Sequence, residues 1–304
     1  MDNIGIVVED LKAAVAFFVE LGVELESETT VEGQWVDRVV GLDGVRTDIA
    51  MMRSPDGHGK LELMKFQNPI ATISELEASV NSLGIRRMMF AVTNLDDVSG
   101  RLQKRGAEPI GDVVEFKDIN GLGYRLLYLR GPEGIIIALA EQLGKKSATD
   151  DLKSKTSSLQ RIDNTLIVVD DLETVKAFFI ELGLEPEGET SVEGPSVDSL
   201  IGLKNVRATL SLLRTPDGHG RIELDKFHTP TAIRFGSVNA PANTPGIRRI
   251  MFAVDDIDEV VARLLAHGSE LMGEVAQYED TYRLCYIRGP EGIIVALAES
   301  LVPG

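Results

Sequence analysis

The side chains able to do chemistry in this 304-residue chain are few, and they recur in pairs. Four histidines (His58, His219, His228 and His267) and one cysteine (Cys285) are its whole stock of imidazole and thiol. His58 and His219 sit in identical Pro-Asp-Gly-His-Gly turns, each four residues before a glutamate, Glu62 or Glu223. In a helix that spacing would converge on a metal, but a strand advances ~13 Å over four residues, so solvated turn histidines are expected instead. His228 follows a strand, and His267 ends a helix before Gly268, where an imidazole suits the negative helix terminus. Cys285 has no second cysteine to bond and no CxxC context, so it reads as a reduced packing residue. The other candidates are charges on strands. Alternation puts Lys60, Glu62, Met64 and Phe66 on one face, and Arg221, Glu223, Asp225 and Phe227 on its counterpart, with both phenylalanines read as core.

What positions these residues is an internal repeat. Asn3-Ile4-Gly5-Ile6-Val7-Val8 returns as Asn164-Thr165-Leu166-Ile167-Val168-Val169, and Gly84-Ile85-Arg86-Arg87 as Gly246-Ile247-Arg248-Arg249. Arg130-Gly131-Pro132-Glu133-Gly134 returns as Arg288-Gly289-Pro290-Glu291-Gly292. The polar stretch 144–160 lacks apolar periodicity and reads as a linker between a first domain, 1–143, and a second, 161–304. In each copy an apolar strand (4–8) leads through Asp10, a helix cap, into a helix with Leu11, Ala14, Val15, Phe17, Phe18 and Leu21 on one face. Strands are predicted over 36–42, 47–53 and 60–66. A second round gives a strand over 87–92, a helix over 95–104 capped by Asn94, and a hairpin of 124–129 with 134–140. The fold class is therefore α+β, four βαβββ modules forming two curled mixed sheets. Acidic runs such as Glu24-Leu25-Glu26 and 255–259 read as solvated helix faces.

Charge limits the partners. Lys plus Arg number 31 against 48 Asp plus Glu, and a net charge of −17 repels a phosphate backbone, so no nucleic-acid partner is expected. No apolar run reaches ~18 residues and the first residues lack a basic, signal-like start, so neither a membrane partner nor secretion is expected and a cytoplasmic location is.

The motifs NIGIVVEDL, MRSPDGHGKLELMKF, IRRMMFAV and YLRGPEGIIIALAEQL, carried by paired βαβββ modules, resemble the vicinal oxygen chelate superfamily of glyoxalases, bleomycin-resistance proteins and extradiol dioxygenases. The resemblance spans nearly the whole chain, apart from the linker and the stretches 67–84 and 228–245, and implies a tandem duplication of the glyoxalase-like fold. It also implies four metal-ligand positions: a His in the first strand, a Glu in the Leu-Glu-Leu strand, a His opening the second module and a Glu in the last strand. Asn3, Glu62, Arg87 and Ala138 stand there in the first copy, and Asn164, Glu223, Arg249 and Ala296 in the second. Only the glutamate is kept. A divalent ion usually needs three or more imidazole, thiolate or carboxylate ligands, whereas a guanidinium stays protonated and brings fixed positive charge. We therefore expect no cofactor and no metal, with the arginine in place of the ion and paired to the glutamate. Such a pair is either a buried structural contact or a fork for carboxylate, phosphate or enolate oxygens of a ligand.

Register in the last hairpin, taken as a two-residue turn, puts Arg283 opposite Ala298 and Arg125 beside Ala138 and Ala140, on the ligand side; a bulge would reverse the face. The copies also differ: Trp35 corresponds to Ser196, Met64 to Asp225 and Arg38 to Ser199, which implies two unequal cups. Trp35 either stacks on a planar ligand or packs into the core. Two pairings of modules are open. Either each copy closes on itself, or the copies exchange modules so that Asn3 and Glu62 meet Arg249 and Arg283; in both cases a duplicated chain imitates a dimer and functions as a monomer or homodimer.

Three function classes follow, in order. The first is a metal-free protein binding a small organic molecule with an anionic or aromatic part at Asn3, Asn164, Trp35, Arg125, Arg283 and Asp225. The second is a metal-independent lyase, isomerase or hydrolase, with Glu62 or Glu223 as catalytic base and Arg87 or Arg249 stabilising an oxyanion. The third is a metal-dependent glyoxalase-like lyase or dioxygenase.

Overall fold

The first module opens on β1 (Asn3–Val7), buried along its whole length, and turns into α1 (Leu11–Leu21), where the Asp10 carboxylate accepts from the Ala13 backbone N–H at 3.0 Å. Gly22 ends the helix at φ 114, a conformation open to glycine. β2 (Glu24–Glu32), α2 (Gln34–Val40), β3 (Arg46–Arg53) and β4 (Lys60–Asn68) complete it. The second module holds β5 (Gly84–Val92), α3 (Leu95–Lys104), β6 (Glu108–Pro109), β7 (Val114–Lys117), β8 (Gly123–Arg130) and β9 (Ile136–Gln142). The second copy repeats this as β10 (Leu159–Val168), α4 (Leu172–Glu181), β11 (Glu185–Glu193), α5 (Pro195–Ile201), β12 (Arg207–Arg214) and β13 (Arg221–Thr229). Its other module has β14 (Gly246–Ala253), α6 (Ile257–Ala266), β15 (Glu270–Leu271), β16 (Ala276–Tyr278), β17 (Tyr282–Arg288) and β18 (Ile294–Ser300). This computed structural model describes residues 1–70, 78–117, 123–144, 158–234 and 236–302; most of the expected linker lies outside them, and β10 begins within its last residues.

Two elements differ from the sequence reading. Residues 36–42, expected as a strand, are mostly helix α2: Val36, Val39 and Val40 fall on one helical face and are buried, a spacing hidden by their β-branched character. Glu24-Leu25-Glu26, expected on a helix face, begins the exposed edge strand β2, where charged side chains blunt an open edge.

The copies exchange modules. One nine-stranded sheet has the order β15-β17-β18-β14-β1-β4-β3-β2 with β16 on β17, and the other β11-β12-β13-β10-β5-β9-β8-β6 with β7 on β8. The seams are the antiparallel pairs β1–β14 and β10–β5. The helical layers, in contrast, stay within a copy: α1 packs on α3 over Phe17, Phe18 and Phe90, and α4 on α6 over Phe178, Phe179 and Phe252. Strands and the short helices α2 and α5 thus bind copy to copy, while the longer helices bind module to module. The Pro132–Gly134 turn ties the modules of the first copy, since the Glu133 carboxylate accepts from the backbone N–H of Glu9 and Asp10 at 2.7 and 2.6 Å, and Glu291 does the same at Asp170 and Asp171. The two Pro-Asp-Gly-His-Gly turns meet as well, His58 stacking on His219 with centroids 3.6 Å apart.

Candidate functional site

Each sheet curls around a concave face, and each cup is built from both copies. In the first sheet β1 brings Asn3, β4 brings Glu62, and β14 brings Arg249. The guanidinium donates to the Asn3 amide oxygen at 2.7 Å and the Tyr286 hydroxyl at 2.6 Å, and pairs with the Glu62 carboxylate at 2.6 Å. In the second sheet Arg87 donates to Asn164 at 3.0 Å and to Glu223 at 2.8 Å. Arg87 and Arg249 are each 1% exposed and rank among the largest fully buried side chains. The expected Arg–Glu pairs therefore form across the repeat, Arg249 with Glu62 and Arg87 with Glu223.

Tyr128 and Tyr286 were missed by the sequence reading, and Arg125 and Arg283 must be moved. The Pro-Glu-Gly segment is a three-residue 3₁₀ turn with Glu133 at φ 53 and Glu291 at φ 56, so the hairpin register shifts by one from the two-residue expectation. Tyr286, not Cys285, pairs with Ala296, and Arg283 with Glu299; in the other sheet Tyr128 pairs with Ala138 and Arg125 with Glu141. Arg125 and Arg283 consequently lie on the helix face, bonded to Asp96 and Asp258 at 2.7 to 2.9 Å, and take no part in the cups. Cys285 is fully buried there and burial pushes its thiol up to about 12, which suits packing and not nucleophilic work.

Burial opposes the Arg87 charge, but the Glu223 carboxylate leads the groups that more than offset it, and the guanidinium is held above its ordinary value; Arg249 behaves alike beside Glu62. Both tyrosines are raised, chiefly by burial. Asp225 is pushed well above the usual carboxylate range by burial, with the Glu223 charge adding to it and Arg87 pulling the other way.

The cups are unequal. In the first, Trp35 on α2 meets Tyr278 at a tilt, 4.6 Å between centroids, and packs, as Phe66 and Met251 do, against the buried cluster that holds Tyr286 and Ala296. Gly5 lets Arg249 lie close to β1: a Cβ there would sit 2.7 Å from Arg249 Cγ and 3.0 Å from Met64 Cε. In the second cup the equivalents are Ser196, Leu166 and Asp225, and a cavity of ≈ 200 Å³ opens, lined by Met89, Phe116, Val197, Ile201, Leu210 and Phe227 among others. Its polar floor is Arg87, Glu223, Asp225 and Tyr128. There, among the described residues, Arg87 Nε and Asp225 Oδ1 have no hydrogen-bond partner.

The donor set does not fit the divalent ion that the resemblance implies. At each ligand cluster a guanidinium bonds the one retained glutamate, so an entering cation would meet a fixed positive charge in place of an imidazole lone pair. Among the described residues no group of three or more His, Cys, Asp or Glu could hold a metal, and no helix is long and apolar enough to cross a membrane.

Two family models of the Glyoxalase/Bleomycin resistance protein/Dioxygenase superfamily match the chain, over residues 161–297 and 2–121. None of the curated proteins matches it. Among solved structures, a glyoxalase family protein from Bacillus cereus is 50% identical, covering 49% of this chain and 99% of its own, with a TM-score of 0.47. A variant of glyoxalase I from Zea mays is 14% identical over 98% of this chain and 92% of its own, TM-score 0.66. A putative dioxygenase from Bacillus subtilis is 14% identical over 100% of this chain and 86% of its own, TM-score 0.61. The last two likenesses are of fold.

Proposed function

The chain belongs to the glyoxalase/bleomycin resistance protein/dioxygenase superfamily, and from that premise we propose that it binds a small organic molecule with an aromatic or other apolar body in the second-sheet cup, without a metal. The observation that carries this reading is the ≈ 200 Å³ cavity with apolar walls and a polar floor. Binding sites are concave, mostly apolar and furnished with a few oriented polar groups. The volume lies below the ~300–1,000 Å³ of drug-sized pockets, so the ligand is of one- or two-ring size.

The arginine in this reading is a floor and not an anion fork. Arg87 already spends two arms on Asn164 and Glu223, which fix its plane, and Glu223 balances its charge. Its remaining N–H groups share the cavity floor with the Asp225 carboxyl. Together they offer a ligand donors and an acceptor at the base of an apolar slot, enough to orient it. The first cup, roofed by Trp35, serves as scaffold.

Screening small aromatic compounds by thermal shift and calorimetry on the wild type and Ser196→Trp tests this. Ser196 is exposed on α5 at the place Trp35 occupies on α2, so tryptophan there lies over Phe116 as Trp35 lies over Tyr278. Hits on the wild type that vanish in Ser196→Trp, with its melting temperature kept, are expected. Hits unaffected by the substitution would place the ligand elsewhere.

A further inference from the structure

We infer that the ligand of the second-sheet cup is a cation: a protonated amine or amidine on an apolar body, its N–H groups seated on the Asp225 carboxylate. This rests on the binding role proposed above and names its ligand class. The cup face of β13 carries two carboxylic acids, Glu223 and Asp225, and of the two arginines lining the cavity, Arg86 and Arg87, it is Arg87 that pairs with Glu223. Glu223 and Arg87 cancel at 2.8 Å. Asp225, 6% exposed and lining the cavity, is left over with Oδ1 unpartnered.

The sister cup shows that the fold does not need an acid there. Its Arg–Glu–Asn cluster forms with Met64 at the equivalent position. Asp225 is therefore an addition to the scaffold, and a buried acid without a partner costs free energy unless something pairs with it.

The charged and titratable groups around Asp225 agree. Glu223, on the same strand, repels a second negative charge; Arg87, on β5, is committed to Glu223 and Asn164; Tyr128, on β8, is held neutral by burial. Arg86 reaches the cavity wall, but it is half-buried and its guanidinium donates to the Leu83 carbonyl at 2.9 Å. A cation seated on Asp225 gives that carboxylate the partner that Arg87, committed to Glu223, does not supply. Without it, burial and the Glu223 charge favour the protonated form of Asp225. Any proton Asp225 holds passes to the solvent when the ammonium enters and its N–H groups donate to the carboxylate, so binding releases up to one proton.

Three probes of matched size separate the possibilities at pH 7: 2-phenylethylamine, the neutral 2-phenylethanol, and the anion 3-phenylpropionate. Calorimetry is run on the full chain in two buffers of different ionisation enthalpy. The amine is expected to bind at least tenfold more tightly than the others, to release up to one proton, and to lose tenfold or more in Asp225→Asn but not in Asp2→Asn. Proton release is read on the wild type and does not depend on how the variant folds. If the alcohol or the propionate binds in a manner Ser196→Trp abolishes, while the amine does not, the cation inference falls and the binding role stands. If none of the three binds, both fall.

Discussion

Arg249 donates from Nε to the Tyr286 hydroxyl at 2.6 Å, whereas Nε of its repeat mate Arg87 has no partner, although Arg87 lies over the Tyr128 ring at 5.1 Å. The two arginines share a strand position, a glutamate and an asparagine, and differ in the residue beneath: Gly5 under Arg249, Leu166 under Arg87. One duplicated cluster has become a closed structural knot in one sheet and the open floor of a cavity in the other.

Breaking the closed knot is expected to be costly. Arg249→Met strands the Glu62 carboxylate, 12% exposed, without its counter-charge, and loss of one partner of a buried pair costs about 3–5 kcal/mol. The double variant Arg249→Met with Glu62→Leu should recover most of that loss, because no orphan charge remains. Urea titrations of the two proteins check it; equal destabilisation would mean the pair matters through shape alone.

Gly5→Ala is expected to destabilise by about 1–3 kcal/mol, the usual cost of overpacking a filled core. The new methyl would meet Arg249 Cγ at 2.7 Å, and that side chain is fixed at its far end by three partners. The same substitution at the half-buried Gly57, where a Cβ would meet nothing within 4 Å, separates steric from conformational cost, because Gly57 stands at φ 79. Thermal melts of both variants read the difference.

The repeat, the four modules and the pairing of arginine with glutamate were legible in the sequence because each rests on residue identity and local period. Three things were not. Which modules pair depends on the seams β1–β14 and β10–β5, and nothing in a strand's own residues names its neighbour. The cup tyrosines were hidden by a turn one residue longer than the hairpin count assumed, which turned Arg125 and Arg283 outward and Tyr128 and Tyr286 inward. Helix α2 was hidden because valines at helical spacing also read as a strand. The signal for the tyrosines was present once the alanines at 138 and 296 were taken to line the cups, since fixing that face fixes the parity of the opposite strand.

Module exchange predicts how the chain divides. A fragment of residues 158–304 retains α4 on α6 and the pairs β10–β13 and β14–β18, but β10 loses β5 and β14 loses β1, so each becomes an open edge. Open edge strands are templates for association, so the fragment is expected to run as a dimer in which β10 of one copy pairs with β14 of the other. Light scattering after gel filtration checks it. A stable monomer would mean that β10 and β14 can close on each other within one copy.

Divalent metal is expected to leave the protein unmoved. With Arg87 and Arg249 bonded to the two glutamates, zinc or nickel added to chelator-treated protein has to displace a guanidinium before it finds a carboxylate. Melting temperatures are expected to change by less than about 1 °C, since ligand linkage grows only when the ion concentration exceeds its Kd. A shift of several degrees, lost in Glu62→Gln, would overturn this.

Asp225 sets a pH dependence whose sign is opposite to that of an ion-paired carboxylate. Burial first, then the Glu223 charge, raises its folded value above the unfolded ~3.9. Below that unfolded value both states carry the proton, and the contribution to stability is fully present. As pH rises from there through the raised folded value, only the unfolded chain gives the proton up, and the contribution is lost at up to about 1.4 kcal/mol per pH unit. Asp225→Asn cannot ionise, so its stability relative to the wild type should climb from pH 4 upward and level off once the wild-type carboxyl has titrated. Paired denaturation curves from pH 4 to 9 measure that difference directly and cancel every other group the two proteins share. A difference that stays flat across the range would mean Asp225 titrates like a solvated carboxylate, and that the cavity floor is wet enough to carry its charge without a cation.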